Sequence, residues 1–186
     1  MSITLATGIG NSFSTISAPL MPWAFSRMDL SEFDLVVSSS HAFAKSIQVD
    51  PGAFHLCYCH TPPRYLWDLY ESYNPGLLGA LRGPLLRRLQ RRDLEAAKQV
   101  HTFVANSTFV AGRISRTYER DAAVIYPPVD VDQFTLSSRE RKFYLAGGRM
   151  VPYKRLDLAI GAATLGALPL VVFGDGHERH RLERLA

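Results

Sequence analysis

Several motifs that would identify an enzyme class at once are absent from this sequence. No Walker sequence appears, which argues against a P-loop nucleotidase. The Gly-x-Ser-x-Gly elbow of the α/β-hydrolases is also missing. Aromatic residues do not alternate with basic residues along any predicted strand, and this argues against an RNA-binding sheet. We therefore expect no nucleic-acid partner.

Long apolar runs and cysteines are also scarce. No window approaches the roughly 18 apolar residues of a transmembrane helix, and the first six residues lack the basic region of a secretory signal. The two cysteines, Cys57 and Cys59, lie two positions apart on a predicted strand, where a disulfide between them would be strained. We expect both to be reduced, which favours a cytoplasmic location. Together with His55 they could form a metal site, but structural zinc usually requires wider ligand spacing.

The composition is that of an ordinary globular protein. The chain has 186 residues, of which 47% are hydrophobic and 20% charged, with a formal net charge of +4. A mildly basic balance suits an anionic small molecule, an acidic membrane surface or a nucleic acid, and charge alone does not choose among them.

Short apolar strands alternate with helices along most of the chain, which predicts an α/β protein with parallel sheets covered on both faces. Strands are predicted at 33–38, 53–59, 101–105, 122–126, 142–146 and 170–173, and helices at 41–47, 77–100, 108–118 and 156–163. Pro84 is expected to begin a second segment of the helix 77–100. Asn106 or Ser107 is expected to cap the helix that follows.

Two prolines, Pro127 and Pro128, end a strand, and a polar segment follows at 135–141. We place a domain boundary there, giving domains 1–138 and 139–186. The second domain then holds only two strands, too few to bury a core alone. Residues 1–31 show no strand with a glycine-rich turn, with which such domains usually begin. We expect an internal fragment in which both domains are incomplete.

Glycines and cations cluster where a predicted strand meets a predicted helix. Gly147 and Gly148 end the strand, and Arg149 and Lys154 follow at the start of the helix. Glycine lets a ligand approach the backbone closely, and a helix N-terminus favours anions. An arginine fork and a mobile lysine then suit a diphosphate. The alternative is a plain turn with solvated cations.

A second glycine turn follows the next strand of the same domain. Gly174, Asp175 and Gly176 come directly after the strand 170–173, at the carboxyl edge where open α/β sheets bind ligands. Because both turns follow neighbouring strands, we expect them to share one ligand. The alternative is again a plain turn, with the glycines needed only for their backbone conformation.

His60 ends the strand 53–59 in the first domain, again at the carboxyl edge of a sheet. Histidine can donate or accept a proton near neutral pH, or hydrogen-bond a hydroxyl group. The alternative is a histidine with a purely structural hydrogen bond.

The predicted helix 77–94 is both basic and amphipathic. Leucines recur every four residues, and arginines lie away from that stripe. Such a helix can lie on an anionic membrane, although more often it packs on its own core and solvates its arginines.

Several of these segments together resemble glycosyltransferase family 4, in particular its O-antigen mannosyltransferase branch. The resemblance runs from about residue 30 to the end and rests on six segments: 33–47 (FDLVVSSSHAFAKSI), 55–68 (HLCYCHTPPRYLWD), 105–114 (ANSTFVAGRI), 125–134 (IYPPVDVDQF), 147–160 (GGRMVPYKRLDLAI) and 171–176 (VVFGDG).

The resemblance implies a GT-B architecture, in which two Rossmann-like domains face each other across a cleft. Gly148, Arg149 and Lys154 match the site that binds the donor diphosphate and stabilises it as a leaving group without a metal or other cofactor. Gly174, Asp175 and Gly176 match the loop beside the nucleotide. His60 matches the histidine that reaches the transferred sugar and is the catalytic candidate.

The implied activity is retaining transfer of a hexose, favoured to be mannose from GDP-mannose, to a glycan or polyprenyl-linked acceptor in surface-polysaccharide synthesis. From the reduced cysteines and the basic helix we expect a cytoplasmic location, with possible contact between the helix 77–94 and the inner face of the plasma membrane. The family's paired glutamates are expected beyond residue 186, so this chain alone should lack transferase activity.

Three alternatives remain open. The chain could be a degenerate, non-catalytic binding module, or a transferase of the same family that uses UDP-sugars. A third reading, a nucleotide-sugar enzyme such as an epimerase, is weakened because the Gly-x-Gly-x-x-Gly fingerprint is missing.

Overall fold

The structure, a computed structural model, describes residues 3–7, 20–68, 76–136, 138 and 140–186. The chain forms two compact units, Met1–Val129 and Asp130–Ala186. The boundary expected at about residue 138 falls inside the second unit. Both units are α/β with parallel strands, which is compatible with a Rossmann-like fold.

The first unit contains a five-stranded parallel sheet whose strands lie side by side in chain order. Its strands are β1 (Ile3–Thr7), β2 (Leu35–Ser40), β3 (Phe54–Cys59), β4 (Thr102–Ala105) and β5 (Ala122–Val124). The sequence did not predict β1, because residues 1–31 were interpreted as holding no strand; that interpretation is wrong. β2 to β5 confirm the four strands predicted in this unit, with small shifts at their ends.

Three helices accompany this sheet: α1 (Met21–Phe25), α2 (Gly76–Gln99) and α3 (Thr108–Tyr118). The break expected at Pro84 does not occur, since the proline lies inside the continuous helix α2. Of the two candidate caps of α3, Ser107 is the N-cap, and its side chain accepts a hydrogen bond from the Val110 amide at 3.2 Å. Residues 64–73 are aromatic and helix-like in sequence, but residues 64–68 form turns, and residues 69–73 lie outside the described residues.

The prediction of a helix over 41–47 is wrong, because only a short 3₁₀ turn forms there, at Ala44–Ser46. The Ser46 amide donates to the carbonyl of Phe43 at 2.8 Å, which is 3₁₀ geometry. The carbonyl of Ala42, which an α-helix would pair with the Ser46 amide, instead accepts from the Lys45 ammonium at 2.7 Å. The Lys45 ammonium therefore occupies the carbonyl that would accept a hydrogen bond in an α-helix.

One face of the first sheet carries the core. Alternate residues of β2, β3 and β4 point into it, and they pack against α2, α3 and the loops; they include Val36, Cys57, Cys59, Phe103 and Ala105. On the opposite face Leu56 and Tyr58 are half-buried and Phe54 is exposed. We expected both faces to be covered. Val104, also on the opposite face, is buried, so among the described residues this face is covered only in part.

A buried ion pair joins four segments of the first unit. The Lys45 ammonium lies 2.5 Å from Oδ1 of Asp93 on α2, and the two residues are 1% and 0% exposed. Oδ2 of Asp93 accepts from Nε1 of Trp67 at 2.9 Å and from the Tyr118 hydroxyl at 2.8 Å. Burial, together with the Asp93 carboxylate, raises the pKa of Tyr118 well above its ordinary value, so the phenol keeps the proton it donates.

The second unit pairs β6 (Tyr144–Gly147) with β7 (Leu170–Phe173) and adds α4 (Leu156–Leu165) and α5 (Arg179–Glu183). These confirm the predicted strand–helix–strand order. The small core consists of Met150, Leu156, Ile160 and Leu182, with β6 and β7 residues packed against it. No helix among the described residues has the length and apolar character needed to cross a membrane.

We expect Asp93→Ala to destabilise the first unit by about 3–5 kcal/mol, because it leaves the Lys45 ammonium buried without a counter-charge. Urea unfolding followed by tryptophan fluorescence would measure this, since both tryptophans, Trp23 and Trp67, lie in that unit. Glu95→Ala is the matched control on the exposed side of the same helix and should change stability by under about 0.5 kcal/mol. Similar midpoints for both variants would show that the pair contributes little.

Candidate functional site

His60 lies at the carboxyl edge of the first sheet, directly after β3. Its Nε2 lies 2.8 Å from the hydroxyl of Ser39 on the neighbouring strand β2. Its amide donates to the carbonyl of Ser40 at 2.8 Å, which continues the β2–β3 ladder by one residue. The backbone and one ring nitrogen of His60 are therefore both held by β2.

The imidazole of His60 is only partly enclosed. Partial burial, and secondarily the nearby His41, lowers the pKa of His60 below its ordinary value, so the ring is neutral at pH 7. The rings of His60 and Tyr58 contact each other in a T-shaped arrangement, with their centroids 5.3 Å apart. The Tyr58 hydroxyl donates a hydrogen bond to the carbonyl of Ile125 at 3.0 Å. Nδ1 of His60 has no hydrogen-bond partner among the described residues and is available to a ligand.

The two glycine turns of the second unit pack backbone against backbone. The Gly148 amide donates to the carbonyl of Phe173 at 3.2 Å, and the Met150 amide donates to the carbonyl of Asp175 at 2.8 Å. A Cβ atom on Gly174 would overlap the carbonyl oxygen of Gly148. The two predicted turns are thus brought together at the carboxyl ends of β6 and β7.

All three of these glycines adopt positive φ angles: 142° at Gly148, 131° at Gly174 and 155° at Gly176. L-residues avoid such angles, so the conformation by itself requires glycine. The plain-turn alternative explains the φ angles, but it does not require the close packing of one turn on the other.

Arg149 and Lys154 are both exposed at this edge of the second unit. Neither side chain forms a hydrogen bond or ion pair with another described residue, and the Lys154 ammonium lies 5.9 Å from the centre of the Tyr153 ring. Arg155 differs, because its guanidinium donates to both carboxylate oxygens of Asp157 at 3.0 and 3.1 Å. Of the three cations in the stretch 149–155, Arg149 and Lys154 therefore have side chains without a charged partner among the described residues.

The position of Lys154 differs from the one expected. It lies in a short 3₁₀ turn, Pro152–Lys154, whereas α4 begins two residues later at Leu156. Arg155 between them adopts φ 52°, a left-handed conformation that reverses the chain before the helix. Lys154 therefore precedes the helix N-terminus and does not belong to its first turn.

Of the strand residues considered as metal ligands, His55 bonds another side chain and the two cysteines are buried. Nε2 of His55 lies 2.9 Å from the Ser38 hydroxyl, and burial lowers the pKa of His55 to about 4, so the ring is neutral. Cys57 and Cys59 are free, buried thiols, as the sequence predicted. Among the described residues no group of three or more His, Cys, Asp or Glu side chains could hold a metal ion.

No protein-family model matches this chain, and no curated protein matches it significantly. The family resemblance consequently rests on the sequence segments alone.

Ser39 is the residue at this edge that the sequence did not single out. The sequence feature that could have indicated Ser39 is the run of three serines and a histidine, residues 38–41, at the end of β2 and directly after it. Because side chains alternate along a strand, Ser38 and Ser40 point into the core while Ser39 points to the other face. Only the register of β2 with β3 brings it to His60.

We expect Ser39→Ala to shift the ¹⁵N resonances of the His60 ring, because Nε2 exchanges a fixed hydroxyl for water. Ser39→Thr, which keeps the hydroxyl, should restore them toward their original positions. Two-dimensional ¹H–¹⁵N spectra of the side chains would record both. Unchanged His60 signals in Ser39→Ala would mean that this hydrogen bond is not formed in solution.

We expect Gly174→Ala to destabilise the second unit by about 3 kcal/mol or more. The new methyl group would overlap the backbone of Gly148, and the φ angle is unfavourable for alanine. Gly161→Ala is the matched control, since a Cβ atom there meets nothing within 4 Å inside the helix α4. It should be neutral or stabilising by up to about 1 kcal/mol. Thermal unfolding monitored by circular dichroism compares them, and equal melting temperatures would contradict the close packing of the two turns.

Proposed function

We propose that this chain carries binding elements of a retaining glycosyltransferase that moves a hexose, with mannose favoured, from a nucleoside-diphosphate sugar to a glycan or lipid-linked acceptor. The observation that carries the proposal is the pair of interlocked glycine turns at the ends of β6 and β7, with Arg149 and Lys154 unpaired beside them. The family resemblance of the sequence adds the reaction type.

The chemistry of the second unit fits a diphosphate. Glycine at Gly148 leaves backbone open to a ligand, since a Cβ atom built there meets nothing within 4 Å. Arg149 offers a planar fork of donors, and Lys154 offers a compact charge on a flexible stem. Cations that a protein leaves without carboxylate partners at the carboxyl edge of a parallel sheet are suited to an anionic ligand.

In the proposed reaction, the bond between the anomeric carbon and the diphosphate oxygen breaks while the acceptor hydroxyl attacks on the same face. The acceptor proton passes to the departing diphosphate oxygen. Arg149 and Lys154 would stabilise the negative charge that develops on the leaving group.

His60 would contribute through a neutral ring. Its lowered pKa keeps it uncharged at pH 7, and Nδ1 is the nitrogen without a partner. A neutral imidazole can accept or donate a hydrogen bond to a sugar hydroxyl, and Ser39 would hold the ring in place. We therefore propose that His60 hydrogen-bonds the sugar and does not act as a general acid or base.

We expect Arg149→Ala and Lys154→Ala each to weaken binding of GDP-mannose by roughly ten- to a hundredfold, because each removes a charge-assisted contact to the diphosphate. Isothermal titration calorimetry of the 186-residue chain with GDP-mannose, a UDP-sugar and inorganic diphosphate would measure this. A preference among the first two ligands would also separate the two donor alternatives.

Lys142→Ala is the matched control. It removes an exposed cation from the same unit, but Lys142 precedes β6 and so lies at the opposite edge of the sheet. Its affinity should equal that of the original chain. If Arg149→Ala and Lys154→Ala also retain full affinity, the diphosphate assignment is wrong.

A further inference from the structure

A cluster of large apolar side chains is exposed on the first unit, where α1 lies against the middle of α2. Trp23 on α1 is 51% exposed, Leu20 just before α1 is 65% exposed, and Leu85 on α2 is 46% exposed. With the buried Leu89 and two arginines they line a hollow of about 340 Å³. We call this surface the α1–α2 face: Leu20, Trp23, Arg27, Leu85, Arg88, Leu89 and Arg92.

The rim of the α1–α2 face is positively charged. Arg88 and Arg92 line the hollow, and the guanidinium of Arg27 lies 4.3 Å from the centre of the Trp23 ring. None of the three forms an ion pair with another described residue. The acidic residue Glu95 lines an adjoining hollow that shares Trp23 and Arg92.

This arrangement differs from the simple amphipathic helix of the sequence. The leucine stripe was expected to face the core and the arginines to face water. Leu89 is buried as expected, but Leu85 is exposed and Arg92 is half-buried beside Trp23. Apolar and cationic groups are therefore mixed on one surface, and a second element, α1, contributes the aromatic residue.

The charge and the apolar groups of the α1–α2 face together indicate which kind of partner would bind it. A second copy of this chain would place arginines against arginines across a two-fold contact, which is repulsive. A nucleic acid would match the charge but would leave Leu20 and Leu85 in water. An anionic bilayer satisfies both, because tryptophan sits at the headgroup level while arginine extends to lipid phosphates.

We propose that the α1–α2 face docks on an anionic lipid bilayer, with Trp23 inserted among the headgroups and Arg27, Arg88 and Arg92 contacting lipid phosphates. Docking of this kind needs no membrane-spanning helix. The inference goes beyond the proposed transfer reaction, and its test involves no sugar substrate, so the two can fail separately.

The test is sedimentation of the 186-residue chain with vesicles of phosphatidylcholine alone or with a third of phosphatidylserine. We expect binding to the anionic vesicles only, weakening as salt is raised. Trp23 fluorescence should shift to shorter wavelength on binding, while Trp67 stays bonded to Asp93 and serves as an internal reference. Equal binding to both vesicles, or binding to neither, overturns the proposal without any variant.

Variants then locate the surface. Trp23→Ser should remove the fluorescence shift, and the double variant Arg88→Glu, Arg92→Glu should lower vesicle affinity by roughly tenfold or more. Each has a control elsewhere on the same unit. Phe109→Ser removes an aromatic that is 70% exposed on α3, and Lys98→Glu with Arg116→Glu makes the same change in net charge.

Both controls should bind as the original chain does, and far-ultraviolet circular dichroism would establish that all variants are folded. If the controls lose as much affinity as the α1–α2 variants, binding follows net charge alone and this face is not the docking surface.

Discussion

The first unit depends on one buried ion pair. Lys45 comes from the loop after β2, Trp67 from the segment after β3 and Tyr118 from the end of α3, and all three contact the carboxylate of Asp93 on α2. Burying two charges costs several kcal/mol per ion unless every lone pair is satisfied, and here both oxygens of Asp93 have partners. The network favours one mutual arrangement of these segments and penalises every other.

The same network fixes the edge where His60 lies. The loops after β2 and β3 leave the sheet side by side, and Lys45 and Trp67 tie both to Asp93. The register of the two strands places the Ser39 hydroxyl, near the end of β2, 2.8 Å from Nε2 of His60, directly after β3. A polar site at a sheet edge needs such support, because short loops alone do not fix side chains.

In the second unit the positions of the site residues depend on backbone contacts. Two turns with glycine at positive φ hydrogen-bond to each other, and close approach is possible because no Cβ atom intervenes. Among the described residues, the side chains of Arg149 and Lys154 form no ion pair, whereas Arg155 pairs with Asp157. The stretch therefore has one paired cation and two unpaired ones.

The positions of β2 to β7, the long helix α2 and the glycine turns could be predicted from the sequence, because apolar runs, β-branched residues and glycines act locally. β1 was missed, since five residues in a segment without further pattern gave no helix–strand alternation to compare with. The helix expected over 41–47 does not form, because the Lys45 ammonium bonds both the Ala42 carbonyl and Asp93, which is 48 positions away. The proximity of Ser39 to His60 could not be predicted either, since it depends on strand register.

The sequence by itself determined the α/β class, the glycine turns and the residues able to bind an anion, because these follow from periodicity and side-chain chemistry. Only the tertiary structure decided the one-directional strand order, the single fully buried face and the mixing of Trp23 with the arginines of α2. Those features arise from contacts between residues far apart in the chain, and no local pattern records them.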